Sequence, residues 1–438
     1  MSHAITTVLA RQLWDSRGRP TVEAEVRLAN GAVGRAIAPA GASRGAHEAI
    51  DLRDGGAAFG GMGVAHAVAN VAREIAPMLA GMDARDQAAV DAALTALDGT
   101  PTKQRLGGNA VVAVSMAVLH AAAAGEGVPV WRWLAQDRAV RLPLPEIQIF
   151  GGGAHAGRRT DIQDFMVMAP HAGSFRRALE ITEGVYRAAG RLMADLAPLA
   201  GVADEGGWWP SFSSNEQALD VLTRAIEAAG RRPGEDVFIS LDIAANEFGD
   251  GNGYRLALDD RVLDGAAMAE TVIGWTRRYP ILSIEDPASQ DDLATMAAVT
   301  GAIGGTVQVI GDDVLVTRAE RVEAAAAAAA CNAALIKVNQ IGTVTEAKAA
   351  LDAARMHGWG TIVSARSGET EDVTIAHLAV GWDAGQFKVG SFTRSERMAK
   401  WNEMLRIEEA MGAQAAFAGA SAFAAPIAAR LSPAGGAR

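Results

Sequence analysis

Five charged side chains each stand at the end of a short, mostly apolar run, and together they set the chemistry this chain is equipped for. Residues 237–241 stop at Asp242, 281–284 at Glu285, 307–311 at Asp312, 333–336 at Lys337 and 386–387 at Lys388. A β-branched, apolar run that halts at a polar residue is the pattern of a buried parallel strand reaching a polar mouth. Asp242, Glu285 and Asp312 offer three hard oxygen ligands, a set suited to Mg²⁺ with water or substrate completing an octahedron. One such acid alone reads as a helix N-cap or a solvated charge, but three at consecutive strand ends do not. Lys337, buried near a cation, is expected to have a lowered pKa and to act as a base; the alternative is an ion pair with one of those acids. After the run 361–363 comes the loop 364–372. It offers Arg366, Ser367 and backbone N–H groups ahead of a helix, either as a phosphate or carboxylate cradle or as a plain helix cap. Lys388 adds a second cation at the last strand end.

These groups need elements to hold them. The steps from Asp242 to Glu285, Asp312, Lys337, Ser364 and Lys388 are about 43, 27, 25, 27 and 24 residues. Each step suits one strand plus one helix, the unit of an α/β barrel whose active site lies at the strands' carboxyl ends. The barrel domain is expected over 141–420. Its opening carries a glycine-rich loop, 151–157, with His155, then an alternating strand, 161–168, with Gln163 and Asp164. Helices are expected over 175–196, 215–229 and 396–411. The loop 203–210 sets Asp204 and Glu205 beside two glycines and two tryptophans. It reads as a solvated acidic turn or as a carboxyl shielded from water by Trp208 and Trp209.

Residues 1–140 read as a smaller α+β domain. Strands are expected over 5–13, 21–28 and 32–38, with Asn30-Gly31 as a hairpin turn, and helices over 64–79, 84–97 and 110–124. The small-residue loop 39–46, which includes Ser43, is expected to be mobile. Residues 141–145, with two prolines, read as an extended linker, and 421–438 as an Ala/Gly-rich tail.

Composition removes several function classes. The chain has 438 residues, 50% hydrophobic and 21% charged, enough for a large core and unlike a disordered protein. Its net charge of −11, with no Lys/Arg-rich run, excludes a nucleic-acid surface. The single Cys331 rules out an intramolecular disulfide and fits a reducing compartment. Residues 1–4 lack a basic-then-apolar secretion signal, and the alanine run 324–330 is too short for a membrane span. A cytoplasmic protein with no membrane partner is expected.

A divalent metal, a lysine base and anion-holding groups together suit proton abstraction next to a carboxylate, with the metal carrying the charge that develops. At these residues the chain resembles the enolase family almost end to end. The shared stretches are Trp14 to Glu23, Gly41-Ala42-Ser43, His155-Ala156-Gly157, Asp204-Glu205-Gly206-Gly207, Ser283 to Pro287, Gly311-Asp312-Asp313, Lys337 to Gly342, Ser367 to Asp372 and Arg394-Ser395-Glu396-Arg397. The resemblance implies an N-terminal α+β domain, a modified (β/α)8 barrel and a homodimer. It implies reversible dehydration of 2-phosphoglycerate, a small phosphorylated three-carbon acid, to phosphoenolpyruvate. It implies Mg²⁺ on Asp242, Glu285 and Asp312, with Ser43 helping a second Mg²⁺. Lys337 would be the base, the lysine-plus-magnesium pairing of enolase-type sites. Glu205 would be the acid that expels the hydroxyl, and His155 a loop residue over the substrate. Arg366 and Ser367 would hold the phosphate, and Lys388 would sit by the substrate carboxylate.

Two positions depart from that family's pattern. Gln163-Asp164-Phe165 stands where Gln-Glu-Phe is usual, so one active-site acid is a methylene shorter. Ser364-Ala365-Arg366-Ser367 replaces Ser-His-Arg-Ser, removing an imidazole near the phosphate. One reading is a drifted housekeeping enolase. A second is a specialised paralogue that keeps the proton-abstraction chemistry on a bulkier substrate, similar to the carboxyphosphonoenolpyruvate synthases of phosphonate natural-product pathways. A third, a catalytically silent binding protein, has no use for Lys337 and three intact metal ligands.

Overall fold

The computed structural model describes residues 2–251 and 253–432. Strands β1 (Ile5–Trp14), β2 (Pro20–Leu28) and β3 (Val33–Ile37) form an antiparallel sheet in that order. The Asn30-Gly31 turn joins the last two: Gly31 takes φ +88°, and the Asn30 side chain accepts from the Ala32 N–H at 3.0 Å. Helix Gly108–Glu126 lies across β2 and β3. A Cβ on Gly34 would stand 2.1 Å from the Ala121 nitrogen, so only glycine lets helix and sheet meet there. That helix is long and apolar enough to cross a bilayer, but 83% of its most apolar window is buried inside the protein. The helix expected over 64–79 is observed, with a wide π turn over Val71–Ile75 just before Pro77, which has no N–H to continue the ordinary ladder.

The barrel is closed by β4 (Leu144–Gly151), β5 (Asp164–Met168), β6 (Phe238–Asp242), β7 (Ile281–Glu285), β8 (Gln308–Gly311), β9 (Ala333–Ile336), β10 (Gly360–Ser364) and β11 (Gly385–Gly390). The α/β class and barrel read from the spacing are therefore observed. One feature was not legible: β5 runs antiparallel to both β4 and β6. The chain turns back immediately after β4, then passes through helices Phe175–Leu196 and Asn215–Ala228 before entering β6. From β6 onward neighbouring strands are parallel and helices cover the outside.

The expected linker at 141–145 is instead strand, first in a separate two-stranded sheet and then in the barrel. Arg141–Leu142 pairs in parallel with Ala416–Phe417, and β4 already begins at Leu144. Proline-restrained extended backbone serves a strand as well as a linker, so sequence pattern did not separate the two. The region expected as tail contains helix Ala425–Leu431. With Phe423 and Ile427 it packs on Leu144, Met168, Phe238 and Leu282, residues of four barrel strands. Positions 433–438 of that expected tail lie outside the described residues.

Candidate active site

The carboxyl ends of the parallel strands deliver the charged residues to one place. Asp242 is the last residue of β6 and Glu285 the last of β7, and the two are register partners. The reversal of β5 adds a further acid. Asp164 is that strand's first residue, so its amino end faces the mouth, directly opposite Asp242. Ser43, His155, Gln163, Asp164, Glu205 and Asp242 line one tight polar cavity of only about 10 Å³, together with Lys337, Ala365, Arg366, Ser367 and Lys388. Glu285 and Asp312 lie behind its two lysines.

Lys388 Nζ donates to Asp242 Oδ2 at 2.8 Å and to Glu285 Oε2 at 2.7 Å, and stands 3.6 Å from Asp164. Lys337 Nζ is paired with Asp312 Oδ2, whose other oxygen accepts from Gln340 Nε2 at 2.7 Å. The ion pair with one of those acids, the alternative reading of Lys337, is therefore observed. Burial pushes this ammonium down, but the Asp312 carboxylate, aided by Glu285, outweighs it and the net shift is upward. Glu285 is pushed well up, first by burial and then by the Asp242 carboxylate. Its Oε1 is buried without a hydrogen-bond partner. A cluster of acids short of positive charge, with one lone acceptor, fits a hard cation. Ligand atoms converge within 4.8 Å of one another in two groups, Asp286 with Asp312 and Asp313, and His155 with Asp164 and Glu205; the expected set Asp242, Glu285 and Asp312 is not such a group.

Next to Asp164, His155 Nδ1 lies 3.1 Å from Asp164 Oδ1, and its Nε2 lies 3.0 Å from Ser367 Oγ and 3.8 Å from Glu205. Burial opposes the imidazolium, yet Asp164 and Glu205 more than compensate and raise His155 to about 9. Gln163 Nε2 donates to Asp242 at 3.1 Å. Glu205 is set on the barrel by its own backbone: its carbonyl accepts from Ser391 N at 2.9 Å. The next residue, Gly206, takes φ +91°, where a Cβ would lie 2.5 Å from the Thr393 carbonyl. The aromatic shield expected over Glu205 is not formed by Trp208. That ring stacks on Tyr186 at 4.9 Å and donates to the Tyr186 carbonyl at 3.0 Å, facing the helix. The charged neighbours of Glu205 are His155 and Arg397, each at 3.8 Å.

Several contributors were not singled out in the sequence. Asp286, buried at φ +41°, accepts the Asp312 and Asp313 N–H groups at 2.9 and 2.7 Å and so fixes the backbone that presents Asp312. Arg397 donates to the Arg366 and Val389 carbonyls at 2.7 and 2.8 Å. Gln148 holds Asp164 Oδ1 and accepts from Gly207 N at 2.8 Å. Glu146, fully buried, accepts from Ser240 Oγ at 2.8 Å. Glu48 pairs with Arg366 at 2.9 Å. Asp286 and Arg397 lie within recognisable motifs, whereas Gln148, Glu146 and Glu48 had no local signal.

An eight-stranded barrel with lysines set among carboxylates at its mouth has the architecture of a barrel enzyme. The chain matches the family models described as Enolase, N-terminal domain over residues 5–134 and Enolase, C-terminal TIM barrel domain over residues 139–426. It is 47% identical over 424 residues to Enolase 1 of Desulfitobacterium hafniense (strain Y51), covering 96% of this chain and 97% of that protein. The chain belongs to the enolase family.

Proposed function

We propose that this protein is a Mg²⁺-dependent lyase that reversibly dehydrates 2-phosphoglycerate, or a close analogue, to the enol phosphate. The observation that carries this reading is the pairing of Lys337 and Glu205 in one cavity that also holds Arg366 and Ser367. Asp242, Glu285 and Asp312 would hold one Mg²⁺, and Ser43 would help hold a second; the partnerless Glu285 oxygen supports that fit. Bound there, the metal would neutralise the acid cluster, lower the proton affinity of Lys337 and stabilise the negative charge growing on the substrate carboxylate. Lys337 then takes the α-proton as a neutral amine. The C–O bond to the departing hydroxyl breaks as Glu205 gives it a proton, so water leaves. His155 orients Asp164 and Ser367, Arg366 and Ser367 hold the phosphate, and Lys388 and Gln163 sit on the carboxylate side. The division at residue 140, a homodimer, a cytoplasmic location and a place in glycolysis belong to the same proposal.

The test is purified protein with 2-phosphoglycerate and Mg²⁺, followed by the ultraviolet absorbance of the enol product, with a chelator control. Metal-dependent turnover is expected. A second reading, the specialised paralogue acting on a bulkier phosphonate-type acid, is favoured by Ala365, which lines the cavity beside Arg366 with only a methyl group. Exchange of the α-proton without enol formation would select it.

A further inference from the structure

Glu48 lies just beyond the loop 39–46, is 3% exposed, and is not among the groups that the proposed reaction uses. Its carboxylate meets Arg366 fork to fork, Oε2 with Nη1 at 2.9 Å and Oε1 with Nη2 at 3.1 Å. Oε1 also accepts from the Gly45 N–H at 3.0 Å, within the loop itself. The remaining N–H groups of the two terminal nitrogens go to the Ser43 carbonyl at 3.0 Å and to Asn339 Oδ1 at 3.1 Å. Asn339 in turn donates to the Pro39 carbonyl at 3.3 Å. One barrel arginine is thus tied to the loop at its start, middle and end. The fit is close, because a Cβ on Gly41 would stand 1.9 Å from Arg366 Nη2.

A paired, buried guanidinium cannot swing, and a bidentate carboxylate fixes its plane as well as its charge. The loop carries Ser43 to the cavity wall, so whatever holds the loop also holds that hydroxyl. Both constraints pass through the same two oxygen atoms.

We infer that Glu48 is a positioning residue that fixes the plane and charge of Arg366 at the cavity wall and, through the same carboxylate, keeps the loop 39–46 closed over the site. Only its effect on substrate rests on the phosphate-holding role proposed for Arg366. Its effect on the loop does not.

The experiment compares wild type with Glu48→Gln, Glu48→Asp and Glu48→Ala in the full chain. Arg44 is exposed in the loop and provides a trypsin site there. Glu48→Gln and Glu48→Ala should speed cleavage after Arg44 by at least about tenfold, while thermal melting and cleavage elsewhere stay near wild type. In the same variants KM for 2-phosphoglycerate should rise about tenfold or more with a smaller change in kcat, and Glu48→Asp should recover part of both effects. Wild-type cleavage at Arg44 together with wild-type KM in Glu48→Gln would overturn the inference, even if Glu48→Ala failed to fold. If the wild-type protein itself does not turn over 2-phosphoglycerate, the functional reading fails and the cleavage comparison alone decides the role of Glu48.

Discussion

Asp164 faces Asp242 across an antiparallel pair, the first residue of one strand opposite the last residue of the next. Reversal of a single strand therefore brings an acid into the ring of strand ends that otherwise holds only carboxyl-terminal residues. Although a methylene shorter than the family's usual glutamate, Asp164 still reaches His155 at 3.1 Å and stays within 3.6 Å of Lys388.

That reach sets a first prediction. If the chain dehydrates 2-phosphoglycerate, Ala365→His combined with Asp164→Glu should raise kcat/KM, since ~1 Å of misplacement at a reacting centre costs about 10²-fold. Steady-state kinetics of the double variant checks it. No gain, or a loss, points to the substrate of the specialised reading.

Lys337→Ala should remove exchange of the substrate's α-proton with deuterated solvent, lowering its rate by about 10²–10⁴-fold, the usual contribution of a positioned base. Exchange is followed by NMR of the substrate. Persistence at the wild-type rate would take Lys337 out of the base role.

Metal should stabilise the fold. Lys388 is the only cation within 4.0 Å of the Asp242 and Glu285 carboxylates among the described residues. Lys388→Met should cost about 3–5 kcal/mol in the presence of a chelator, because it leaves buried carboxylates unpaired. Mg²⁺ at 100 times its Kd should return about 2.7 kcal/mol by mass action, giving a larger rise in Tm than from a non-ligating salt. Melting with and without chelator reads both effects.

The ion pair of His155 carries a pH signature. A histidine raised to about 9 in the folded protein contributes stability that is fully present below its unfolded value, about 6.5, and is lost as pH rises through about 9. The Tm difference between wild type and His155→Gln should be flat below about pH 6 and shrink across that window. A difference that grows with pH would show that the imidazole is neutral.

Ile427 tests the barrel's packing separately from its chemistry. It is fully buried in the cluster with Leu144, Met168, Phe238 and Leu282. Ile427→Ala should cost about 2–5 kcal/mol in urea unfolding and leave KM unchanged.

The sequence by itself determined the barrel's rhythm and most of its mouth. Asp242, Glu285, Lys337 and Lys388 announce themselves because a buried parallel strand is apolar along its length and turns polar only where it reaches water. The hairpin at Asn30-Gly31 and the loop glycines are legible for an equally local reason, backbone conformations that few other residues adopt. Tertiary structure alone decided the rest. The direction of β5 leaves no local mark, because strand alternation looks the same read either way. The upward shift of Lys337 follows from a carboxylate 25 positions away in the chain, and Glu48 meets Arg366 across 318 positions. Charge pairs of that kind depend on distance in space and on exclusion of water, quantities that exist only once the chain has closed on itself.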